Sequence, residues 1–147
     1  MLRLVVPALK QGFIPDTISA DLFSNTPYTT GINLANVMSK FLCLGVPLED
    51  VVRRTTVNPA QVINRPELGN LSVGSTADIA VFEMLNGRFG YLGTGGGKIV
   101  GDRKLQCVLT LVGGEVVYDH PYGLSQPLWQ DIPKDSRYWV DTNKQNW

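Results

Sequence analysis

The spacing of apolar residues in the first half of the chain predicts helices. The clearest helix runs from Leu34 to Leu44, where apolar side chains recur every three or four residues and form one stripe. The stripe consists of Leu34, Val37, Met38, Phe41 and Leu42. Asn33 is placed to cap the start of this helix, and Gly45 to end it in a left-handed conformation.

Three shorter segments also have helical patterns. Residues 2–11 could form the end of a helix that Gly12 stops. Residues 48–54 have acidic side chains in the first turn and basic ones in the last, which suits the helix dipole. Near Pro59 a further helix is predicted, with Asn58 as its cap, Pro59 at its first position and an end near Asn64.

The second half of the chain has the pattern of strands. Residues 77–83, 104–111 and 115–119 read as strands, and Gly113-Gly114 between the last two is a hairpin signal. The glycine-rich residues 93–97 lack the continuation of a phosphate-binding loop and are predicted to form a mobile loop.

This order of elements predicts how the chain is organised. Helices come first and strands second, which favours one region over residues 1–65 and another over residues 66–119. Residues 120–147 show no periodicity and are interpreted as an irregular C-terminal arm. Between the first two helices, residues 12–22 contain the alternation Thr17, Ile18, Ser19, which suits a short strand.

Composition narrows the function classes. The 147 residues carry 13 basic and 13 acidic side chains, and no basic run is present, so neither nucleic acid nor an anionic membrane is an expected partner. No apolar stretch is long enough to span a bilayer, and a cytoplasmic protein is expected. Cys43 and Cys107 lie in unlike contexts and are interpreted as two buried, reduced thiols.

Several segments in series resemble the C-terminal portion of the metal-dependent amidohydrolase superfamily, in its deacetylase-like and dihydroorotase-like subgroup. In chain order these are residues 12–22, 38–42, 58–60, 74–78, 111–119 and 123–129. The resemblance implies an α/β fragment: the last strand and helices of a (β/α)8 barrel, followed by part of a small β-sandwich. It also implies hydrolysis of an amide, N-acyl or related ester bond of a small molecule. In that family zinc or another divalent metal activates the carbonyl group and the attacking water.

The resemblance assigns the site to the end of the last barrel strand. Asp21 would bind the metal and accept the proton of the attacking water. Ser19 would share its face of the strand and is a candidate substrate contact. From spacing alone a loop or cap carboxylate is the favoured interpretation of Asp21, and the resemblance reverses this preference. Asp16 and Asp78 are interpreted as turn carboxylates, and His120 as an exposed turn histidine.

Most of the metal ligands of that family have no counterpart in the chain. The family uses a His-x-His pair, a lysine or glutamate and two further histidines, whereas His120 is the single histidine here. A zinc site needs about three protein ligands, and a barrel needs about 250 residues, but only 65 residues precede Pro66. We therefore expect a C-terminal fragment that is inactive alone and does not retain metal.

Two alternatives remain open from the sequence. The chain could be half of a split hydrolase completed by a separate N-terminal chain, or a non-enzymatic β-rich interaction module. A sheet edge left open, or an apolar stripe on residues 34–44 left uncovered, would favour self-association.

Overall fold

A computed structural model describes residues 2–20, 33–93, 97–120 and 128–131. Helices dominate the N-terminal part of these ranges and an antiparallel sheet the C-terminal part. The helices are α1 (Leu2–Lys10), α2 (Leu34–Cys43), α3 (Leu48–Thr55) and α4 (Val57–Val62), and the strands are β1 (Ile79–Leu92), β2 (Lys98–Val112) and β3 (Glu115–Asp119). Short 3-10 turns occupy Pro66–Leu68 and Trp129–Asp131.

The predicted caps of α2 are confirmed. Asn33 lies in extended conformation, and its Oδ1 accepts a hydrogen bond from the Asn36 N–H at 2.8 Å. Gly45 follows the helix with a φ of 90°, which a residue with a Cβ adopts only at a cost in energy. The helices predicted over residues 2–11 and 48–54 also form, with ends that differ from the prediction by one residue.

The predicted cap of α4 is wrong. The helix begins at Val57, so Asn58 lies inside its first turn. Instead of capping, the Asn58 Nδ2 group donates to the backbone oxygen of Asp16 at 2.7 Å. The Asn58 side chain therefore makes a tertiary contact with residues 12–20 instead of the capping contact that local geometry predicts.

The sheet has β2 in the middle, paired antiparallel with β1 on one side and β3 on the other. The β1–β2 pairing runs from Ile79 opposite Leu111 to Leu92 opposite Lys98, so both strands are longer than predicted. The β2–β3 hairpin is confirmed, because Gly113 and Gly114 adopt φ values of 59° and 88°, which a tight turn of this kind requires. The second layer of the predicted sandwich stays a prediction, as do the boundaries at residues 65 and 119.

The core forms where α2 packs on β2. Its buried residues come from both elements and from the segments around them: Ile18, Ala35, Met38, Phe41, Leu42, Val46, Val51 and Leu105. Ser39 is fully buried among them, and its Oγ donates to the Ala35 oxygen at 2.6 Å and accepts from the Leu105 N–H at 2.9 Å. The apolar stripe of α2 is therefore covered by the sheet and is not left uncovered.

Cys43 and Cys107 are both free thiols, as predicted, but they are only partly buried. Within the described ranges no helix combines the length and apolar character that crossing a membrane demands.

Candidate functional site

Residues 13–20 lead directly to Asp21, the predicted metal-binding carboxylate, which itself lies outside the described residues. The predicted strand over residues 12–22 does not form in residues 12–20. A strand needs a neighbouring strand to complete its ladder. Here Ile18 instead donates its N–H to the backbone oxygen of Arg54, in the last turn of α3, at 2.8 Å.

Two further hydrogen bonds hold this segment against the helices. Arg54 Nη1 donates to the Pro15 oxygen at 2.5 Å, and Asn58 Nδ2 donates to the Asp16 oxygen at 2.7 Å. Ile18 is buried in the core, whereas Ser19 beside it is exposed. The segment before Asp21 is thus fixed by α3 and α4, with Ser19 on its solvent side.

A metal centre cannot be assembled from the described residues. They contain no group of three or more His, Cys, Asp or Glu side chains close enough to share an ion. The donor set therefore does not fit the zinc site that the resemblance implies, which needs about three protein ligands. His120 is exposed and follows β3, as the sequence indicated.

The two other aspartates considered in the sequence have structural surroundings. Asp78 Oδ1 accepts a hydrogen bond from the Gly113 N–H at 2.8 Å and so ties the start of β1 to the β2–β3 hairpin. This confirms the prediction of a turn carboxylate. Asp16 lies at a bend and is exposed.

A cavity of about 580 Å³ lies between the first turn of α2 and the sheet. Its lining was not predicted, because Cys107 and His120 are far apart in sequence and meet only through strand pairing. His120 donates its N–H to the Val108 oxygen at 2.8 Å, which brings it beside β2. The described lining consists of Asn33, Leu34, Ala35, Asn36, Ala80, Phe82, Lys104, Leu105, Gln106, Cys107, Tyr118 and His120. It includes no carboxylate, so these residues offer no acid–base pair of carboxyl groups for hydrolysis.

A second cluster, formed by Cys43, Tyr91 and Gly101, joins α2 to the far ends of β1 and β2. Tyr91 is 1% exposed, and its hydroxyl donates to the Arg103 oxygen at 2.6 Å. Burial raises the pKa of Tyr91, and burial together with the nearby Asp102 charge raises the pKa of the Cys43 thiol. A thiol with a raised pKa is a poor nucleophile and a poor metal ligand. The cluster is therefore structural.

Comparisons with known proteins agree with the resemblance. Residues 42–118 match the Amidohydrolase family. A deacetylase of Brucella anthropi is 34% identical over 84 residues, which cover 57% of this chain and 21% of that protein. The chain therefore spans about a fifth of the length of this curated relative.

Two solved structures share the fold. The crystal structure of an adenine deaminase superposes with a TM-score of 0.74 at 22% identity, over 81% of this chain and 32% of that one. The crystal structure of a dihydroorotase gives a TM-score of 0.71 at 29% identity, over 80% and 32% of the two chains. The family match covers more than half of the residues, and the helix-then-sheet order is the one that the resemblance led us to expect. The chain belongs to the amidohydrolase family.

Proposed function

We propose that this chain supplies the part of an amidohydrolase that carries Asp21, and that the remaining metal ligands come from segments outside this sequence. The observation that carries the proposal is the anchoring of residues 13–20, immediately before Asp21. Three hydrogen bonds join that segment to α3 and α4, so residues 13–20 have a fixed place in the fold, which supports a functional role for the residue that follows them.

The proposed reaction is hydrolysis of an amide, N-acyl or related ester bond in a small molecule. The relatives and structural neighbours of this chain are named as a deacetylase, an adenine deaminase and a dihydroorotase, and these names indicate different substrates. We therefore propose the bond class alone. Ser19, exposed beside the segment that leads to Asp21, is the proposed substrate contact of this chain.

The chain alone is proposed to be inactive. One carboxylate at Asp21 is too few ligands for a catalytic zinc ion, and the described residues add no cluster to it. These residues therefore support no catalytic step through a metal. The two free thiols, Cys43 and Cys107, fit the proposed cytoplasmic location, where disulfides are rare.

A second candidate, a non-enzymatic interaction module, is favoured by one observation. The described residues bury a core of their own between α2 and β2, including Phe41, Leu42 and Leu105. Such a core can stabilise a fold without further segments. The two candidates predict different results when an N-terminal segment is added. The part of a hydrolase should then gain a metal site, and the interaction module should not.

The test compares the purified 147-residue chain alone with the same chain co-expressed with the N-terminal segment of a related deacetylase. Zinc content and turnover of N-acetyl amino acids are measured for both. We expect neither zinc nor turnover from the chain alone, and both from the pair. Asp21→Asn should abolish activity of the pair, whereas the control Asp16→Asn, at an exposed bend, should retain it.

Each other result decides against part of the proposal. Zinc-dependent turnover by the chain alone would show that it holds enough ligands of its own. A pair whose activity survives Asp21→Asn would remove the role assigned to that carboxylate. A chain that never associates with the N-terminal segment would favour the interaction module.

A further inference from the structure

The outer side of α3 is apolar although no other part of the described structure covers it. Its inner side holds Val51, which is 0% exposed, but on the outer side Leu48 and Val52 are each 42% exposed. Val57, at the start of α4, is 37% exposed and continues the same stripe. These residues line a groove of about 540 Å³ together with Glu49, Arg53 and Thr56. We call this surface the α3 groove.

Two opposite charges flank the apolar part of the α3 groove. Glu49 and Arg53 are four residues apart, which places them one helical turn apart on the same side of α3. Within the described residues neither of them forms an ion pair. An apolar groove with one unpaired acid and one unpaired base at its margin is suited to bind a complementary surface.

We propose that the α3 groove binds the α3 groove of a second copy of this chain. When two α3 helices pack antiparallel about a two-fold axis that meets their outer sides midway between Glu49 and Arg53, Glu49 of each copy lies opposite Arg53 of the other. Such an interface is isologous, because the same residues meet from both sides. Val52 lies next to the axis, so the apolar side chains of the two copies meet at the centre of the interface.

The charge pattern favours a second copy over an unrelated partner. Rotation by 180° exchanges Glu49 and Arg53, so the surface complements itself without any further sequence requirement. The formal net charge of the chain is zero, so two copies do not repel each other at long range. The face is short, since α3 has 8 residues, and a weak dimer is therefore expected. This inference goes beyond the proposed function and does not depend on it.

The test is charge exchange in the full chain, with the mass in solution measured by sedimentation velocity over a range of concentrations. Arg53→Glu places two acids opposite each other, and Glu49→Arg places two bases, so each should raise the dimer dissociation constant about tenfold or more. The double variant Glu49→Arg with Arg53→Glu should restore dimerisation, because the pattern is again self-complementary. Lys98→Glu is the control, since it makes the same charge change at the exposed start of β2.

Circular dichroism of each variant checks that the fold is retained, and the rescue in the double variant needs a folded chain. A chain that stays monomeric at every concentration would overturn the proposal. So would a dimer that both single variants leave intact, since it would form through another surface such as the outer edge of β1. Dimerisation lost equally in Lys98→Glu would likewise contradict a role for the α3 groove.

Discussion

Gly101 shows how a single residue sets the distance between the sheet and α2. A Cβ added there would lie 2.8 Å from the Cys43 Sγ and 2.9 Å from the Cys43 Cβ. Contacts this short force the sheet and the helix apart or shift both. We expect Gly101→Ala to lower the free energy of unfolding by about 1–3 kcal/mol, measured by urea denaturation.

Gly90 provides the matched control, because it is also a strand glycine but would place a Cβ in open space. Gly90→Ala should leave the stability unchanged or raise it slightly, since alanine costs less backbone entropy than glycine. Adding Cys43→Ala to Gly101→Ala should recover part of the loss by removing the Sγ contact. Equal losses in both glycine variants would mean that backbone flexibility, and not crowding against Cys43, is what matters at Gly101.

Tyr91 predicts a fall in stability at alkaline pH. Burial raises the pKa of its phenol in the folded state above the value of about 10 in the unfolded chain. The folded state therefore favours the protonated form. The stabilisation is complete below pH ~10 and is lost as the pH rises through the folded-state pKa, by at most about 1.4 kcal/mol per pH unit.

Urea denaturation from pH 8 to 11 measures this effect, and Tyr91→Phe separates it from other groups. The variant loses the hydrogen bond to the Arg103 oxygen at every pH, but it also loses the phenol that titrates. Burial lowers the pKa of Lys40, so this lysine raises the free energy of unfolding as the pH rises over part of this range. It does so equally in the wild-type chain and in the Tyr91→Phe variant. The difference between the two curves should therefore narrow as the pH rises above ~10. A constant difference would show that Tyr91 does not titrate differently in the folded state.

At the scale of elements, local signals predicted the helices well. Asn33 and Gly45 mark the start and the end of α2 as predicted, because a cap needs only the side chain and the backbone within one turn. The Gly113-Gly114 hairpin was predictable for the same reason. So was the turn role of Asp78, whose carboxylate meets a backbone N–H of that hairpin.

Elements that depend on distant residues were predicted less well. Asn58 was assigned to a cap but bonds to Asp16, and residues 12–20 bond to α3 and α4 instead of forming a strand. The strands β1 and β2 continue beyond their alternating segments because each supplies the other's hydrogen bonds. The pairing also shifts register near Asn86, where no apolar alternation exists to mark a strand. Pairing of this kind cannot be read from one segment alone.

The residues of the candidate site also differ in whether the sequence could predict them. The family resemblance predicts Asp21 and Ser19 as site residues from a segment that is continuous in sequence, and this assignment stays a prediction. The cavity lined by Cys107 and His120 depends on the β2–β3 pairing, and no spacing in the sequence indicates it. Likewise, the groove on α3 was not predicted, because the exposure of Val52 depends on which side of the helix the core covers.

At the scale of the whole molecule, the helices and the sheet should unfold together, because one core belongs to both. Leu105 is 5% exposed on β2, its N–H bonds to Ser39 of α2, and its side chain belongs to the cluster that contains Phe41. Leu105→Ala should lower the free energy of unfolding by about 2–5 kcal/mol through lost contacts and the cavity left behind. Amide hydrogen exchange should become faster in α2 and in β1 by similar factors, since both depend on the same core.

Val112→Ala is the control for this coupling, because Val112 lies at the end of β2 and is 56% exposed. It should leave exchange in α2 unchanged, since little apolar contact is lost. If Leu105→Ala accelerates exchange in the strands but not in α2, the helices form a unit that is stable without the sheet. The contact between Ser39 and Leu105 would then be a docking contact between two separately stable parts. If both elements respond together, the α2–β2 core is what makes the described residues one cooperative structure.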